Sequence, residues 1–307
     1  MRIIFMGTPA FAVKSLEACL SLGDVVAVVT QPDKPRGRGQ EVSFSPVKEL
    51  ALARGLAVLQ PLKIRGTNFA EELRALNADV GVVTAYGKIL PQDVLDAPRR
   101  GCVNVHASLL PRFRGAAPIQ WAIAAGDDKT GVCLMQMDAG MDTGGIIECA
   151  ELPIGPGDTS ATLHDKLSDL GGEVLRRSLP RYVAGELPVK PQPHEGVVMA
   201  PMIKKEDGRL DWSRSALELE RRLRAFTPWP GAFCTFDGGL LKVAKAIAGE
   251  GKGAPGTVLS ASADGVEVAC TEGSLKLLSL QPEGRRAMTA QEFLSGRKLV
   301  VGSKPFS

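Results

Sequence analysis

RIIFMGTPA at residues 2–10 is a short apolar run that ends in a turn. Similar runs recur along the first half of the chain between amphipathic segments: VVAVVT at 25–30, DVGVVTA at 79–85 and GCVNVH at 101–106. Such runs are typical of strands buried on both faces, and their alternation with helical segments indicates βαβ units. We therefore predict an α/β fold with a Rossmann-like, doubly wound, mostly parallel sheet.

The pattern changes after the first half and predicts a second domain. Thr130–Met137 and Gly145–Leu152 predict an antiparallel pair at the sheet edge, followed by a long helix over Thr159–Ala184. We divide the chain into a catalytic domain (1–184), a Pro- and Gly-rich linker (185–203) and a C-terminal domain (204–307). There, one helix precedes five short strands with glycine-rich turns, which predicts a small OB-like β-barrel. The strands are Ala232–Phe236, Leu240–Ala246, Gly256–Ser260, Val266–Cys270 and Ser274–Gln281.

Composition indicates a globular protein of one or two domains. Of the 307 residues, 44% are hydrophobic and 23% charged, which fits neither a disordered chain nor a fibre. We expect no membrane span and no signal peptide, because every apolar run is strand-sized. None of the six cysteines is paired at metal-ligand spacing, and the chain has three histidines. We therefore predict free thiols, no metal and a reduced, cytoplasmic setting.

Charge is unevenly distributed along the chain. Residues 204–307 carry 16 Lys and Arg against 12 Asp and Glu, whereas residues 1–203 are close to neutral. The excess favours an anionic partner for the C-terminal domain, although a small excess is also usual for a solvated surface.

The first turn argues against a dinucleotide site. The fingerprint of such a site needs three glycines, whereas GTPAFA at 7–12 contains one, followed by Pro9 and Phe11. Nor does the sequence contain a GxxxxGK[ST] phosphate loop.

Two polar residues interrupt a buried strand at the end where ligands bind in parallel sheets. Asn104 and His106 are two residues apart, so their side chains share one face of the strand. An amide and an imidazole side by side can donate to one developing oxyanion, or alternatively cap loop backbone at the sheet edge. The residues alone leave these two interpretations open.

At this point the sequence resembles the folate-dependent formyltransferases. NVHASLLP at 104–111 resembles the Asn-x-His-x-Ser-Leu-Leu-Pro signature of that family, and Asp142 in a glycine-rich turn matches its third catalytic residue. Further matching segments recur along the whole chain: GTP at 7–9, QPD at 31–33, AYG at 85–87, RGAAP at 114–118, MQMD at 135–138 and FTPWP at 226–230.

The resemblance implies a reaction and roles for residues. The donor would be 10-formyltetrahydrofolate, acting as co-substrate without a metal, and the acceptor would be the α-amine of methionine carried by initiator tRNA. Asn104 and His106 would hold the oxyanion of a tetrahedral intermediate, while Asp142 would orient His106 and relay the proton.

The resemblance also implies a folate pocket. It would be formed by two segments, with the Leu110–Pro111 peptide bond in cis: Ser108, Leu109, Leu110 and Pro111, and Tyr86, Gly87, Ile89 and Leu90.

For the tRNA, the resemblance implies a basic loop at 33–40 that enters the acceptor stem, with Arg36 and Arg38, and a barrel that binds the tRNA backbone. The barrel cations are Lys204, Lys205, Arg221, Arg222, Arg285, Arg286, Arg297 and Lys298. The family further implies a monomer.

Three other functions remain as alternatives. A sugar-nucleotide N-formyltransferase and a formyltetrahydrofolate hydrolase would share the Asn, His and Asp residues, whereas a non-catalytic RNA-binding protein would not need them. The basic loop and the FTPWP segment favour tRNA over a sugar nucleotide.

Overall fold

The computed structural model describes residues 1–36 and 41–306, which form two units. The first unit comprises Met1–Pro118, Lys129–Pro153 and His164–Ala200, and the second comprises Ile119–Asp128, Ile154–Leu163 and Pro201–Ser307. This division differs from the one predicted, because residues 185–200 group with the first unit instead of forming a linker. The cause is backbone pairing, since Lys190 exchanges two hydrogen bonds with Ile146.

The strands of the first unit follow the predicted βαβ rhythm. They are β1 (Arg2–Gly7), β2 (Asp24–Val29), β3 (Lys34–Arg36), β4 (Glu41–Ser43), β5 (Val58–Leu59), β6 (Val80–Thr84), β7 (Cys102–His106), β8 (Arg114–Gly115), β9 (Lys129–Gln136), β10 (Ile146–Pro153) and β11 (Met199–Ala200).

Helices connect these strands and continue into the second unit. They are α1 (Val13–Leu22), α2 (Pro46–Ala53), α3 (Phe69–Ala75), α4 (Gln92–Leu95), α5 (Pro118–Ala125), α6 (Ser160–Val183), α7 (Ala216–Ala225) and α8 (Ala290–Ser295), with 3-10 turns at Ala10–Ala12 and Lys205–Gly208. Ser45 caps α2, where its hydroxyl accepts a hydrogen bond from the backbone N–H of Lys48. None of the helices in the described part of the chain has the length and apolar character needed to cross a bilayer.

The main sheet of the first unit is mostly parallel, as predicted. Its strand order is β10-β9-β7-β6-β1-β2-β5, with β7, β6, β1, β2 and β5 parallel to one another. β9 runs antiparallel to β7, and β10 antiparallel to β9, which confirms the predicted antiparallel edge pair. The central strands are covered on both faces, since Ile3, Ile4, Phe5 and Met6 in β1 are fully buried. Because β1, β2, β6 and β7 are parallel, their carboxyl ends lie along one edge of this sheet.

Cys133 and Cys149 form a disulfide, so the prediction of free thiols is wrong for this pair. The pairing of β9 with β10 places the two residues directly opposite each other, with 4.1 Å between their Cα atoms. Opposite residues of an antiparallel pair share one face, so their side chains are close enough to bond. The remaining cysteines are buried free thiols, and burial raises the pKa of Cys102 and Cys234 to about 12.

The second unit contains an antiparallel sheet with the order β12-β13-β16-β15-β14, formed by β12 (Ala232–Phe236), β13 (Gly239–Gly249), β14 (Val258–Ser262), β15 (Gly265–Ala269) and β16 (Ser274–Pro282). These are the five predicted strands, and a further short strand, β17 (Met288–Thr289), pairs with β16. Leu219 and Leu223 of the amphipathic helix α7 belong to the same buried core as Leu275 and Leu277 of β16. The sequence did not predict β17, because two residues are too few to show a period.

Candidate active site

Asn104 and His106 lie near the carboxyl end of β7, and their side chains share one face of the strand, as their two-residue spacing predicts. In the pairing of β7 with β9, Asn104 lies opposite Met135 and His106 lies opposite Cys133. His106 is buried, and Asn104 is half-buried. Because directly opposite residues point to the same face, the two polar side chains share a surface with Met135 and the disulfide.

The turn between β9 and β10 brings Asp142 to these two side chains. The Asp142 carboxylate accepts a hydrogen bond from Asn104 Nδ2 at 3.4 Å, and its other oxygen lies 3.6 Å from His106 Nδ1. That second oxygen also accepts the backbone N–H of Gly115 at 2.9 Å. The structure thus brings together the three residues that the sequence proposed as a reactive centre.

The other side of the His106 ring is held by the loop that follows β7. His106 Nε2 lies 2.9 Å from the carbonyl oxygen of Phe113. A carbonyl can only accept, so this contact assigns the proton to Nε2 and leaves Nδ1 facing Asp142. Nδ1 therefore acts as an acceptor when the imidazole is neutral, and as a donor only when the ring is an imidazolium cation.

Two residues at this site have left-handed backbone conformations that are rare without glycine. Phe113 has φ 58° and Asp142 has φ 53°. Such conformations cost roughly 1–3 kcal/mol each and cluster at functional sites. Here they aim the Phe113 carbonyl at His106 and the Asp142 carboxylate at His106 and Asn104.

The predicted folate segment Ser108–Pro111 begins the loop that leads from β7 to Phe113. The Ser108 hydroxyl donates to the carbonyl of Arg112 at 2.6 Å, and the Leu110–Pro111 bond is cis, as predicted. Leu110 packs in a buried apolar cluster with Cys133 and Met135, and Met137 packs against that cluster. This loop therefore places apolar surface on the sheet face that also presents Asn104 and His106.

The second predicted folate segment joins the turns after β1, β2 and β6. The carbonyl of Tyr86 accepts hydrogen bonds from Gln31 Nε2 at 3.1 Å and from the Thr8 hydroxyl at 3.3 Å. Tyr86 itself is buried, and burial raises the pKa of its hydroxyl to about 12. Leu90 is also buried, whereas Ile89 is 76% exposed. Gly87 has φ 80°, in the left-handed region that a side chain rarely adopts.

The base of the predicted basic loop is fixed by a polar network that the sequence did not reveal. Lys48 of α2 donates to the Asp33 carboxylate and, at 2.8 Å, to Gln60 Oε1. Gln60 Nε2 in turn donates to Asp33 at 3.0 Å and to the carbonyl of Gln31 at 2.9 Å. The hydrogen bond from Lys48 is the main cause that lowers the pKa of the Asp33 carboxyl.

Replacing Lys48 with Met is expected to destabilise the protein in a pH-dependent way. Because the pKa of Asp33 is lowered in the folded state, its contribution is present above the ordinary value of 3.8 and is lost as pH falls through the folded value. For a partly exposed pair we expect a loss of about 1 kcal/mol or less at neutral pH. The measurement is urea unfolding of both proteins at neutral and acidic pH. The difference in the free energy of unfolding should shrink in acid, and a difference that grows would refute the assignment. Lys63→Met, at an exposed position, is the control.

The predicted tRNA residues fall in several places. Arg36 ends β3, and Arg38 lies outside the described residues. In the second unit, Lys204 and Lys205 are exposed, as are Arg285 and Lys298. Some of the other cations contact their own unit: Arg222 donates to the carbonyl of Asp207 and lies over the ring of Phe226, Arg286 pairs with Glu292, and Arg297 lies over Phe293.

The family of the chain follows from both of its halves. Residues 1–179 match the formyl transferase family, and residues 202–298 match the formyl transferase C-terminal domain. The chain therefore belongs to the formyl transferase family and is an enzyme that transfers a one-carbon group.

Its relatives carry a more specific name. A protein of Myxococcus xanthus named methionyl-tRNA formyltransferase is 66% identical over 305 residues, which cover 99% of this chain and 98% of the relative. A second protein of that name, from Citrifermentans bemidjiense, is 50% identical over 98% of this chain and 95% of its own length. A solved N-formyltransferase from Helicobacter canadensis, in complex with folinic acid and dTDP-3-aminofucose, is 18% identical with a TM-score of 0.69 over 91% of this chain and 98% of that one. This last likeness is one of fold.

Proposed function

We propose that this chain transfers the formyl group of 10-formyltetrahydrofolate to the α-amine of methionine on initiator tRNA, for translation initiation. The observation that carries the reaction type is the convergence of Asn104, His106 and Asp142 at the end of β7. The choice of acceptor is supported by the high identity to methionyl-tRNA formyltransferases over nearly the whole chain.

The reaction requires one bond to form and one to break. The amine nitrogen attacks the formyl carbon, and the carbonyl oxygen becomes an oxyanion in a tetrahedral intermediate. The bond from that carbon to N10 of the folate then breaks, the proton lost by the attacking amine goes to N10, and the products are the N-formyl amide and tetrahydrofolate. The steps need positioned donors and a proton relay but no enzyme nucleophile.

Each of the three residues has a role in these steps. An amide NH2 carries two hydrogens, so Asn104 can hold Asp142 with one and the oxyanion with the other. With Nε2 committed to Phe113, His106 donates to the oxyanion through Nδ1 and therefore acts as the imidazolium, next to the Asp142 carboxylate. Asp142 stabilises that cation and accepts the proton that the attacking amine loses.

The donor is assigned to the apolar surface beside these residues. Ser108–Pro111 and Tyr86–Leu90 would contact the folate, with Leu110 and the exposed Ile89 against its rings. Met137 packs against both the buried cluster that contains Tyr86 and Leu90 and the one that contains Leu110, which supports a common surface for one ligand. The folinic acid in the Helicobacter canadensis protein supports a donor of this class.

The acceptor is assigned to the basic loop and the C-terminal unit. Arg36 and Arg38 would contact the acceptor end, and Lys204 and Lys205 the tRNA backbone. We propose that the antiparallel sheet of the second unit is an OB-like barrel, a common nucleic-acid platform. We further propose that 1–184 is the catalytic domain, that 204–307 binds tRNA, and that the protein is a cytoplasmic monomer.

Replacing Arg38 with Glu is expected to lower kcat/KM for methionyl-tRNA by roughly 10-fold to 100-fold, the usual cost of one arginine contact to a nucleic acid. The KM for 10-formyltetrahydrofolate should not change. The measurement is steady-state kinetics with each substrate varied in turn. Arg65→Glu, which makes the same charge change at an exposed position, serves as the control. An equal loss for both substrates would show that Arg38 has no specific role toward tRNA.

The identity of the acceptor is tested by offering several candidate acceptors to one formyl donor. We would supply labelled 10-formyltetrahydrofolate together with methionyl-tRNA, an amino-sugar nucleotide, or water alone. The proposal predicts label on methionyl-tRNA. Label on the sugar nucleotide would favour a sugar N-formyltransferase, and rapid release of labelled formate without an acceptor would favour a hydrolase.

A further inference from the structure

The segment 190–200, which we call the strap, is hydrogen-bonded to two loops of the candidate active site. These are the turn that carries Asp142 and the loop that follows His106. At one end, the backbone of Lys190 pairs with Ile146, just after the Asp142 turn. At the other end, Val198 accepts from the backbone N–H of Arg114, and β11 pairs with β8. The strap therefore spans from the turn that holds Asp142 to the loop that follows His106.

Gln192 is the side chain of the strap that contacts both loops at once. Its Oε1 accepts two hydrogen bonds from the Arg114 guanidinium, at 3.0 Å from Nε and 2.7 Å from a terminal nitrogen. Its Nε2 donates to the carbonyl oxygens of Asp142 at 2.8 Å and Gly144 at 2.7 Å. Both acceptor positions of Oε1 and both hydrogens of Nε2 are thus used.

These partners fix the orientation of the Gln192 amide. A flipped amide would direct its NH2 at a guanidinium that can only donate, and its oxygen at two carbonyls that can only accept. Pro191 and Pro193 flank the residue and restrict the backbone on both sides. Gln192 therefore behaves as a rigid connector between two acceptors and one cation.

The contacts bear on Asp142 from two directions. Directly, Gln192 holds the carbonyl of Asp142, whose backbone is in the left-handed conformation. Indirectly, it holds the side chain of Arg114, and the next residue, Gly115, donates its N–H to the Asp142 carboxylate. A shift of Gln192 would therefore move the Asp142 carboxylate relative to His106. Gln192 itself is hydrogen-bonded neither to the His106 ring nor to that carboxylate.

We propose that Gln192 is a positioning residue for formyl transfer, which sets the place of the Asp142 carboxylate through its backbone and through the Arg114–Gly115 loop. This inference rests on the proposed role of Asp142. Displacements of about 1 Å at a reacting group can cost about 100-fold in rate, so the effect belongs in the chemical step. The binding of either substrate does not depend on it.

Two variants test the inference. Gln192→Met removes all four hydrogen bonds at similar volume, and Gln192→Glu keeps the acceptor for Arg114 but loses both donors to the Asp142 turn. We expect each to lower the single-turnover rate about 10-fold to 100-fold, with each KM within about 3-fold of the wild-type value. Gln192→Glu retains an ion pair to Arg114, so it keeps the test valid if the Met variant does not fold. Glu195→Gln, an exposed change in the same strap, should leave the rate unchanged.

A second background separates positioning from a general structural role. If Gln192 acts through Asp142, adding Gln192→Met to Asp142→Asn should lower the single-turnover rate by less than about 3-fold, since coupled residues are non-additive. The same loss in both backgrounds, or no loss in the wild type, would overturn the inference. If Asp142→Asn is slower than the wild type but Gln192→Met is not, the positioning role of Gln192 is rejected while the role of Asp142 stands. A wild-type rate in Asp142→Asn would reject the proposed role of Asp142, and the inference with it.

Discussion

Replacing Asp142 with Asn is expected to lower kcat by about 10²-fold to 10⁴-fold, the range over which positioned proton transfer accelerates reactions. The carboxylate faces His106 Nδ1 at 3.6 Å and accepts from Asn104 and Gly115. Asn keeps the size of the side chain but removes the charge proposed to stabilise the His106 imidazolium and the group proposed to accept the amine proton. Neither KM should change by more than a few-fold, because neither substrate is proposed to bind through this carboxylate.

The matched control for this change is Asp138→Asn in the same turn. Asp138 is exposed, and its carboxylate accepts from the backbone of Gly140 at 3.0 Å and from Thr143 at 2.7 Å. It therefore supports the turn without facing His106, and we expect a much smaller change in kcat. Single-turnover formylation of methionyl-tRNA measures both variants. Equal losses would mean that only the shape of the turn matters, and the relay role of Asp142 would have to be abandoned.

The second large effect is expected from His106→Gln. Glutamine can donate a hydrogen bond but cannot become a cation, so the proposed oxyanion site would lose a charged donor at a buried position. Removing one such donor typically costs about 10²-fold to 10³-fold in kcat. The measurement is kcat for formylation of methionyl-tRNA with both substrates saturating.

An exposed histidine–carboxylate pair provides the comparison for His106. His164 Nδ1 lies 2.9 Å from the Asp165 carboxylate, and the Asp165 side chain is 83% exposed. His164→Gln should leave kcat unchanged. A His106→Gln enzyme with the wild-type kcat would contradict the assignment of the charged donor to this residue.

Much of the fold could be predicted because buried parallel strands have a distinctive sequence. β1 and β7 are short apolar runs, and the antiparallel edge was visible as two such runs around a glycine-rich turn. Periodicity gives no information about irregular segments, however. Residues 185–200 looked like a linker, whereas their backbone hydrogen bonds tie them to the first unit. The Cys133–Cys149 pairing depends on the register of β9 with β10, which sequence spacing does not reveal.

The site was predictable to the extent that its residues are neighbours in sequence. The two-residue spacing of Asn104 and His106 places both on one face of a strand, so local geometry suffices. Asp142 needed the family resemblance, because a turn-forming Asp among glycines is common. Neither Phe113 nor Gln192 could be found in this way. The first contributes a backbone carbonyl, and the second is a polar residue between two prolines without a recognisable motif.

Asn104, His106 and Asp142 are proposed to act as one unit in formyl transfer to methionyl-tRNA. The most direct test is the single-turnover rate of Asp142→Asn, His106→Gln and the double variant, with labelled 10-formyltetrahydrofolate and methionyl-tRNA. We predict that the double variant is no more than about 3-fold slower than the worse single variant, because residues that act as a unit are non-additive. A rate reduced by the product of the two single losses, or a double variant close to the wild-type rate, would contradict the claim.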